Sequence, residues 1–114
     1  LWLKREAQRL LEAETRTLAA RLGREVVRVT VRDPRSRWGS CSSAGAISYS
    51  WRLILAPEFV RRAVVAHEVA HLAEPNHGPG FWKLAEALLG DPQDDARAWL
   101  RAHGRGLHAW GREG

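Results

Sequence analysis

Two prolines, Pro57 and Pro75, bound the segment that most constrains the fold of this 114-residue chain. Proline suits the first turn of a helix, where its missing N–H would have no partner, but it cannot continue a helix. The residues between the two prolines include no glycine and are mostly apolar. The sequence therefore predicts one helix from Pro57 to about Glu74, and we expect it to be the most buried helix of the fold.

Apolar periodicity defines the elements that precede this segment. Apolar residues three, four or seven positions apart predict an amphipathic helix from Trp2 to Leu22, and Gly23 supplies its C-terminal stop. Val27, Val29 and Val31 then alternate with polar residues. This alternation predicts a strand with one buried and one exposed face.

The remaining residues predict a second strand and two further helices. Residues Arg35 to Gly45 are rich in Ser, Gly and Arg and are predicted to form an ordered loop, whereas the alternating run from Ala46 to Leu55 is a strand candidate. Helices are predicted from Phe81 to Leu89 and from Asp91 to Gly104. This order predicts an α+β fold in which a short antiparallel sheet packs against helices. We expect residues 1–114 to form one domain.

Charge and cysteine content give expectations about the partner and the cellular location of the protein. Lys and Arg number 18 against 13 Asp and Glu, a formal charge of +5, which predicts an anionic partner such as a nucleotide or DNA without specifying either. An arginine-rich composition accounts for this charge equally well. Cys41 is the only cysteine, so a reducing, cytoplasmic location is expected. No apolar run reaches the roughly 18 residues of a membrane span, so no membrane partner is expected.

The predicted central helix contains two histidines in the sequence His67-Glu68-Val69-Ala70-His71. A separation of four residues places both imidazoles on one face of a helix, one turn apart, where two ligands can meet one metal ion. His77 follows the break at Pro75, so the chain can fold back and present a third ring. Glu68 lies about 100° around the helix from His67, where it can reach a metal-bound water as a general base.

The histidine spacing has two alternative interpretations. The histidines could sit four apart by chance on an ordinary amphipathic helix. A structural zinc site is the stronger alternative, but such sites usually close all four positions with Cys and His, and Cys41 is the only thiol. The spacing therefore favours a catalytic zinc site, in which three protein ligands leave one position for water.

Three further segments extend the histidine motif into a family pattern: Arg37-Trp38-Gly39-Ser40-Cys41-Ser42, Trp51 to Pro57, and Asn76-His77 with Phe81-Trp82. Together these segments resemble the YgjP-like metallopeptidase family, which is related to the SprT-like zinc proteases. The resemblance covers Arg35 to Trp99.

The resemblance implies a fold, a cofactor and a set of site residues. In that family the two helix histidines and the later histidine before Phe-Trp are the zinc ligands, and the intervening glutamate is catalytic. It therefore implies one zinc per chain on His67, His71 and His77, with Glu68 as the catalytic residue, in a small zincin-like α+β domain. It also implies a β-rich N-terminal portion that this sequence does not contain.

The function implied by the resemblance is cleavage of a peptide or protein. An extended substrate is expected to add as a strand along the sheet edge near Ile47 to Trp51. Two alternative functions stay open. Some YgjP-like proteins carry a nucleotide pyrophosphatase label, and SprT-like proteases process proteins bound to DNA. The net charge and the arginines near the motif permit both.

Three more residues are candidate contacts to substrate or to a developing oxyanion. Arg37 and Arg52 offer forked donors to a carboxylate or phosphate, although a position on a solvated rim accounts for them equally well. Tyr49 is the only tyrosine and could donate to an oxyanion, but alternation alone lets it face either side of its strand.

Overall fold

The computed structural model describes residues 2–110, which form four α-helices and three strands. The helices are α1 (Trp2–Leu22), α2 (Glu58–Ala70), α3 (Pro79–Leu89) and α4 (Asp94–Ala109), and the strands are β1 (Arg28–Arg32), β2 (Gly39–Cys41) and β3 (Ala46–Ser50). This arrangement confirms the predicted α+β class. None of the helices in the described part of the chain combines the length and apolar character needed to cross a membrane.

The three strands form one mixed sheet in the order β1-β3-β2. The β2 and β3 strands pair antiparallel, with Ser40 opposite Ser48, whereas β1 and β3 pair parallel, with Val29 opposite Ile47. The prediction of a wholly antiparallel sheet was therefore wrong. The short strand β2 reverses the chain between β1 and β3, so β3 returns to lie parallel beside β1.

Strand β2 lies within Arg35 to Gly45, the segment that the sequence predicted as a loop. It is followed by a tight hairpin, in which the Ser42 N–H donates to the Ala46 carbonyl at 2.9 Å. Gly45 closes the hairpin with a φ of +90°, a conformation that favours glycine. A three-residue strand rich in serine and glycine shows too little alternation to be recognised in a sequence.

The buried face of the sheet carries Val29, Val31, Ile47 and Tyr49, and helices α1 and α2 cover it. Val27 was predicted to belong to this face but is 67% exposed, whereas its neighbour Val26 is 8% exposed. The prediction failed because β1 begins only at Arg28, so the strand alternation does not reach Val27.

The second alternating run is a strand only in its first half. β3 ends at Ser50, and Trp51–Leu55 forms a 3₁₀ helix whose first turn is capped by the Ser50 hydroxyl, which accepts from the Arg52 N–H at 3.2 Å. A hydroxyl that bonds the backbone two residues on stabilises a turn in competition with the strand.

Helix α2 is the most buried helix, as predicted, because eight of its 13 residues are buried. It ends at Ala70 rather than near Glu74. Beyond this point the backbone N–H groups of His71, Leu72 and Ala73 bond three residues back, at 3.0 to 3.2 Å, which tightens the chain into a narrower turn.

The last two helices also differ at their ends from the prediction. Helix α3 begins at Pro79, two residues earlier than expected, with the proline in the first turn. Helix α4 begins at Asp94 and continues through Gly104 to Ala109. Gly104 is a packing position within the helix rather than its end, since a β-carbon there would lie 3.3 Å from the Trp38 ring.

The burial difference between adjacent valines gives a direct test of where β1 begins. We expect Val26→Ala to lower the free energy of unfolding by about 1 to 3 kcal/mol, because it removes buried methyl groups and leaves a cavity. Val27→Ala should change it by less than about 0.5 kcal/mol, as is usual at exposed positions. Denaturant unfolding of both variants is the measurement, and equal losses would contradict this placement of β1.

Candidate metal centre

Helix α2 presents two histidine rings on the face that it turns toward α3. The His67 and His71 rings lie with their centroids 5.0 Å apart, and both side chains are half-buried. The helix repeat accounts for this pairing, since residues four apart stack on one face.

The turn after Pro75 brings His77 against both rings. Its Nε2 lies 2.9 Å from Nε2 of His71 and 3.3 Å from Nε2 of His67. Nitrogens that share one small ion at 2.0 to 2.1 Å lie about 3.4 Å apart in a tetrahedral site. The three rings therefore converge on one point with a spacing that fits a metal ion.

The protonation of these rings also fits a metal. Burial is the main cause that lowers the pKa of His67 to about 4, and the charges of His71, His77 and Arg97 add to it. Burial likewise lowers the pKa of His71. Both rings are therefore neutral at pH 7, and a neutral imidazole has the free lone pair that coordination needs.

Neighbouring groups fix the orientation of the histidine rings. Nδ1 of His71 lies 3.1 Å from the Glu74 carbonyl oxygen, which can only accept, so this nitrogen carries the proton and Nε2 keeps its lone pair. The Phe81 ring contacts all three histidines, with centroid distances of 4.4 to 4.8 Å. Phe81 forms an apolar floor that holds the rings together.

A second aromatic ring supports the same cluster from α3. Trp82 stacks on His77 with an interplanar angle of 29°, and the Arg97 guanidinium of α4 lies 4.7 Å from the Trp82 ring centroid. This contact links α4 to the most exposed of the three histidines. His77 sits on a turn, so packing rather than a helical backbone sets its position.

Glu68 is buried beside the histidines and faces strand β2. Its side chain is 6% exposed, and this burial raises its pKa to about 7. Strand β2 approaches it so closely that a β-carbon at Gly39 would lie 2.9 Å from Cγ of Glu68. Only glycine at position 39 leaves the carboxylate in this place.

An open cleft of about 780 Å³ lies in front of these residues. Its walls are the β2–β3 hairpin on one side and the three histidines on the other, and Arg37 stands exposed at its rim. This volume lies within the roughly 300 to 1,000 Å³ of ligand-binding clefts. An extended chain segment therefore has access to the histidines and Glu68 together.

The structure places the other two sequence candidates in the core. Tyr49 is 1% exposed, and its hydroxyl is 2.8 Å from the Thr15 hydroxyl of α1. Arg52 is 2% exposed and donates from Nε and Nη2 to the Trp110 carbonyl, at 3.2 and 2.7 Å, while Nη1 pairs with Asp33. Neither side chain lines the cleft with the three histidines.

Two residues that sequence reasoning did not assign to the site contribute to it. Gly39 fits against Glu68, and Arg97 adds a positive charge near His67. Gly39 lies inside one of the motif segments, which was the available signal, whereas Arg97 had none. Cys41 lines the cleft, and burial followed by the charge of Glu68 raises its pKa to about 11, so its thiol stays protonated as expected of a structural cysteine.

Comparison with known proteins identifies the family. The model of the YgjP-like family, described as a YgjP-like metallopeptidase domain, matches residues 1–103. No curated protein and no solved structure matches the chain. Because the family match spans most of the sequence and includes all three histidines and Glu68, the chain belongs to the YgjP-like metallopeptidase family.

Proposed function

We propose that this protein is a zinc-dependent metallopeptidase in which His67, His71 and His77 hold one zinc ion and Glu68 is the general base. The observation that carries the proposal is the convergence of three imidazole Nε2 atoms beside a buried carboxylate. A histidine-only set of three suits a catalytic site, since closed structural sites use four ligands. When bound, zinc supplies a Lewis acid that polarises a carbonyl and lowers the pKa of water.

Glu68 has the properties that the proton transfers of peptide hydrolysis require. A general base works best when its pKa lies near the working pH. Burial raises the pKa of Glu68 to about 7, and the positive charge of a bound zinc ion would lower it from there. Its carboxylate takes a proton from the attacking water and delivers it to the leaving amine. Because Glu68 and His67 are adjacent in α2, the helix fixes the base relative to the first ligand.

The sheet topology changes the expected path of the substrate. The segment Ile47 to Trp51 was expected to offer a free edge, but β3 is the central strand and is paired on both sides. Within the described residues the edge that borders the cleft is β2, where Gly39 contacts Glu68. An extended peptide that pairs with β2 lies directly over Glu68, and Arg37 at the rim can bind a substrate carbonyl or carboxylate.

Zinc retention tests the ligand set. We expect one zinc per chain. His67→Ala, His71→Ala and His77→Ala should each weaken zinc binding by more than about 100-fold, because loss of a group that only hydrogen-bonds a metal ligand already lowers metal affinity by about 10 to 100-fold. His103→Ala is the matched control, because this exposed α4 histidine lies outside the cluster. Metal analysis after dialysis gives the readout. Full retention in His77→Ala would remove the third ligand from the proposal.

Substitution of Glu68 separates catalysis from structure. Glu68→Gln keeps size and hydrogen-bonding capacity but cannot accept the proton, so hydrolysis should fall by about 10² to 10⁴ while zinc content and melting temperature stay unchanged. The assay compares peptides, nucleoside triphosphates and a DNA-bound protein as substrates. Pyrophosphate release that depends on Glu68, without peptide cleavage, would favour nucleotide hydrolysis instead. Cleavage at the wild-type rate in Glu68→Gln would favour a structural zinc.

The contact between Gly39 and Glu68 predicts an effect from one added methyl group. Gly39→Ala should lower kcat more than it raises KM, because the new β-carbon displaces the Glu68 carboxylate without removing a metal ligand. Gly106→Ala is the control, since a β-carbon there meets no atom within 4 Å. Steady-state kinetics and zinc analysis are the measurements, and an unchanged kcat with intact zinc would show that Gly39 does not position the base.

A further inference from the structure

The positive charge of the chain is concentrated in the segment that builds the sheet. Residues 24–52 contain six arginines against only Glu25 and Asp33, so this quarter of the sequence carries +4 of the formal charge of +5. Five of those arginines are exposed and form no salt bridge within residues 2–110: Arg24, Arg28, Arg32, Arg35 and Arg37. In contrast, Arg9 and Arg16, two exposed arginines of α1, each pair with a glutamate of the same helix.

The fold gathers part of this charge on one uncovered surface, which we call the outer sheet face. It consists of Arg28, Thr30 and Arg32 on β1, Ser48 on β3 and Ser40 on β2, which strand alternation and register place on the same side. Helices α1 and α2 cover the opposite side, so these residues keep contact with solvent. Ser50, which is opposite Arg32, is buried and marks the end of this exposed area.

The side chains of this face are those that bind phosphate groups. Arginine and the hydroxyls of serine and threonine are common donors to nucleic-acid phosphates. The hydroxyls of Ser40 and Ser48 lie 3.2 Å apart, and they line a recess of about 210 Å³ together with Arg32 and Arg37. Among the described residues, no carboxylate lines this recess. Its size suits one phosphate group better than a whole small-molecule ligand, which needs roughly 300 Å³ or more.

The spacing of the arginines favours a linear polyanion over a single ion. Arg28 and Arg32 are four residues apart on one strand, so their Cα atoms are separated by about 13 Å at roughly 3.3 Å per residue. A chain of phosphates engages both cations and the recess at once.

The composition of the face also distinguishes among polyanions. Protein interfaces centre on buried aromatic anchors, and single-stranded nucleic acid is held by aromatic stacking platforms. The residues of the outer sheet face include no aromatic and no large apolar side chain. These features favour binding to the sugar–phosphate backbone of a duplex. Such binding does not depend on the base sequence.

We propose that the outer sheet face binds the phosphate backbone of duplex nucleic acid, with Arg28, Arg32 and Arg37 as cations and Ser40 and Ser48 as hydroxyl contacts. Arg28 and Arg32 lie on the side of the sheet away from Glu68 and outside the catalytic cleft, so substitutions at these two positions leave the proposed catalytic residues in place. Arg37, Gly39 and Ser40 border both the recess and the catalytic cleft, so a bound duplex passes along the rim of the cleft.

The test is fluorescence anisotropy of a labelled 20-base-pair duplex of arbitrary sequence, titrated with the full chain between about 50 and 200 mM salt. The Arg28→Gln/Arg32→Gln double variant should bind at least about tenfold more weakly at low salt. The plot of the logarithm of the association constant against the logarithm of the salt concentration should also become less steep, by about 1 to 2 units of slope. Each phosphate contact contributes about 0.9 to that slope, and the double variant loses two contacts. Arg28→Lys/Arg32→Lys keeps both charges and should keep the slope.

The matched control is Arg62→Gln/Arg101→Gln, which removes the same charge from exposed positions on α2 and α4. This control should keep the wild-type slope. Equal losses in the two glutamine pairs would mean that net charge alone attracts the duplex, and the proposal would be overturned. Absence of binding would overturn it as well. So would tighter binding to the single strand, to an acidic protein or to vesicles of anionic lipid than to the duplex.

Discussion

Helix α2 contacts all three other helices, the 3₁₀ segment and strand β2, and the positions of His67, Glu68 and His71 follow from that central placement. Its apolar residues Val60, Val65 and Val69 are fully buried, which fixes the rotation of the helix about its axis. Once that rotation is set, Glu68 must point at β2 and the two histidines must point at α3. The hydrophobic core thus determines the direction of the polar groups, although none of the core residues takes part in chemistry.

The packing of α2 against β2 explains why the pKa of Glu68 is raised. A carboxylate placed against a strand backbone loses water on nearly all sides, and this loss raises its pKa. The same packing leaves room only for glycine at position 39. The pKa of the proposed base is therefore raised by the close packing of the β2 backbone against the Glu68 side chain rather than by a neighbouring protein charge.

Sequence reasoning predicted the parts of the structure that depend on local periodicity. The α1 helix, the burial of α2 and the convergence of three histidines follow from residue spacing and from two prolines, all of which act over short distances. The topology of the sheet did not follow, because the three-residue strand β2 has no periodic signal and its pairing partners are set by tertiary packing. The burial of Tyr49 and Arg52 likewise depends on tertiary packing that local spacing does not reveal. Alternation gives two possible faces for a residue, and only the packing of α1 and α4 decides between them.

Gly104 shows that a local sequence pattern can also misplace the end of a helix. Glycine usually marks where a helix stops, but here the missing side chain makes space for the Trp38 ring, and α4 continues to Ala109. A stop signal and a packing gap look identical in a sequence because both require only the absence of a β-carbon.

The hydrogen bonds from Arg52 to the Trp110 carbonyl have a consequence for the extent of the cooperative folding unit. The family match ends at residue 103, yet a fully buried guanidinium depends on a carbonyl seven residues later for two of its donors. A buried charge that loses its acceptors is costly, so the final turn of α4 cannot detach without weakening the end of β3 and the 3₁₀ helix. We therefore expect residues 104–110 to unfold together with the sheet, as part of one thermodynamic unit that extends beyond the residues matched by the family model.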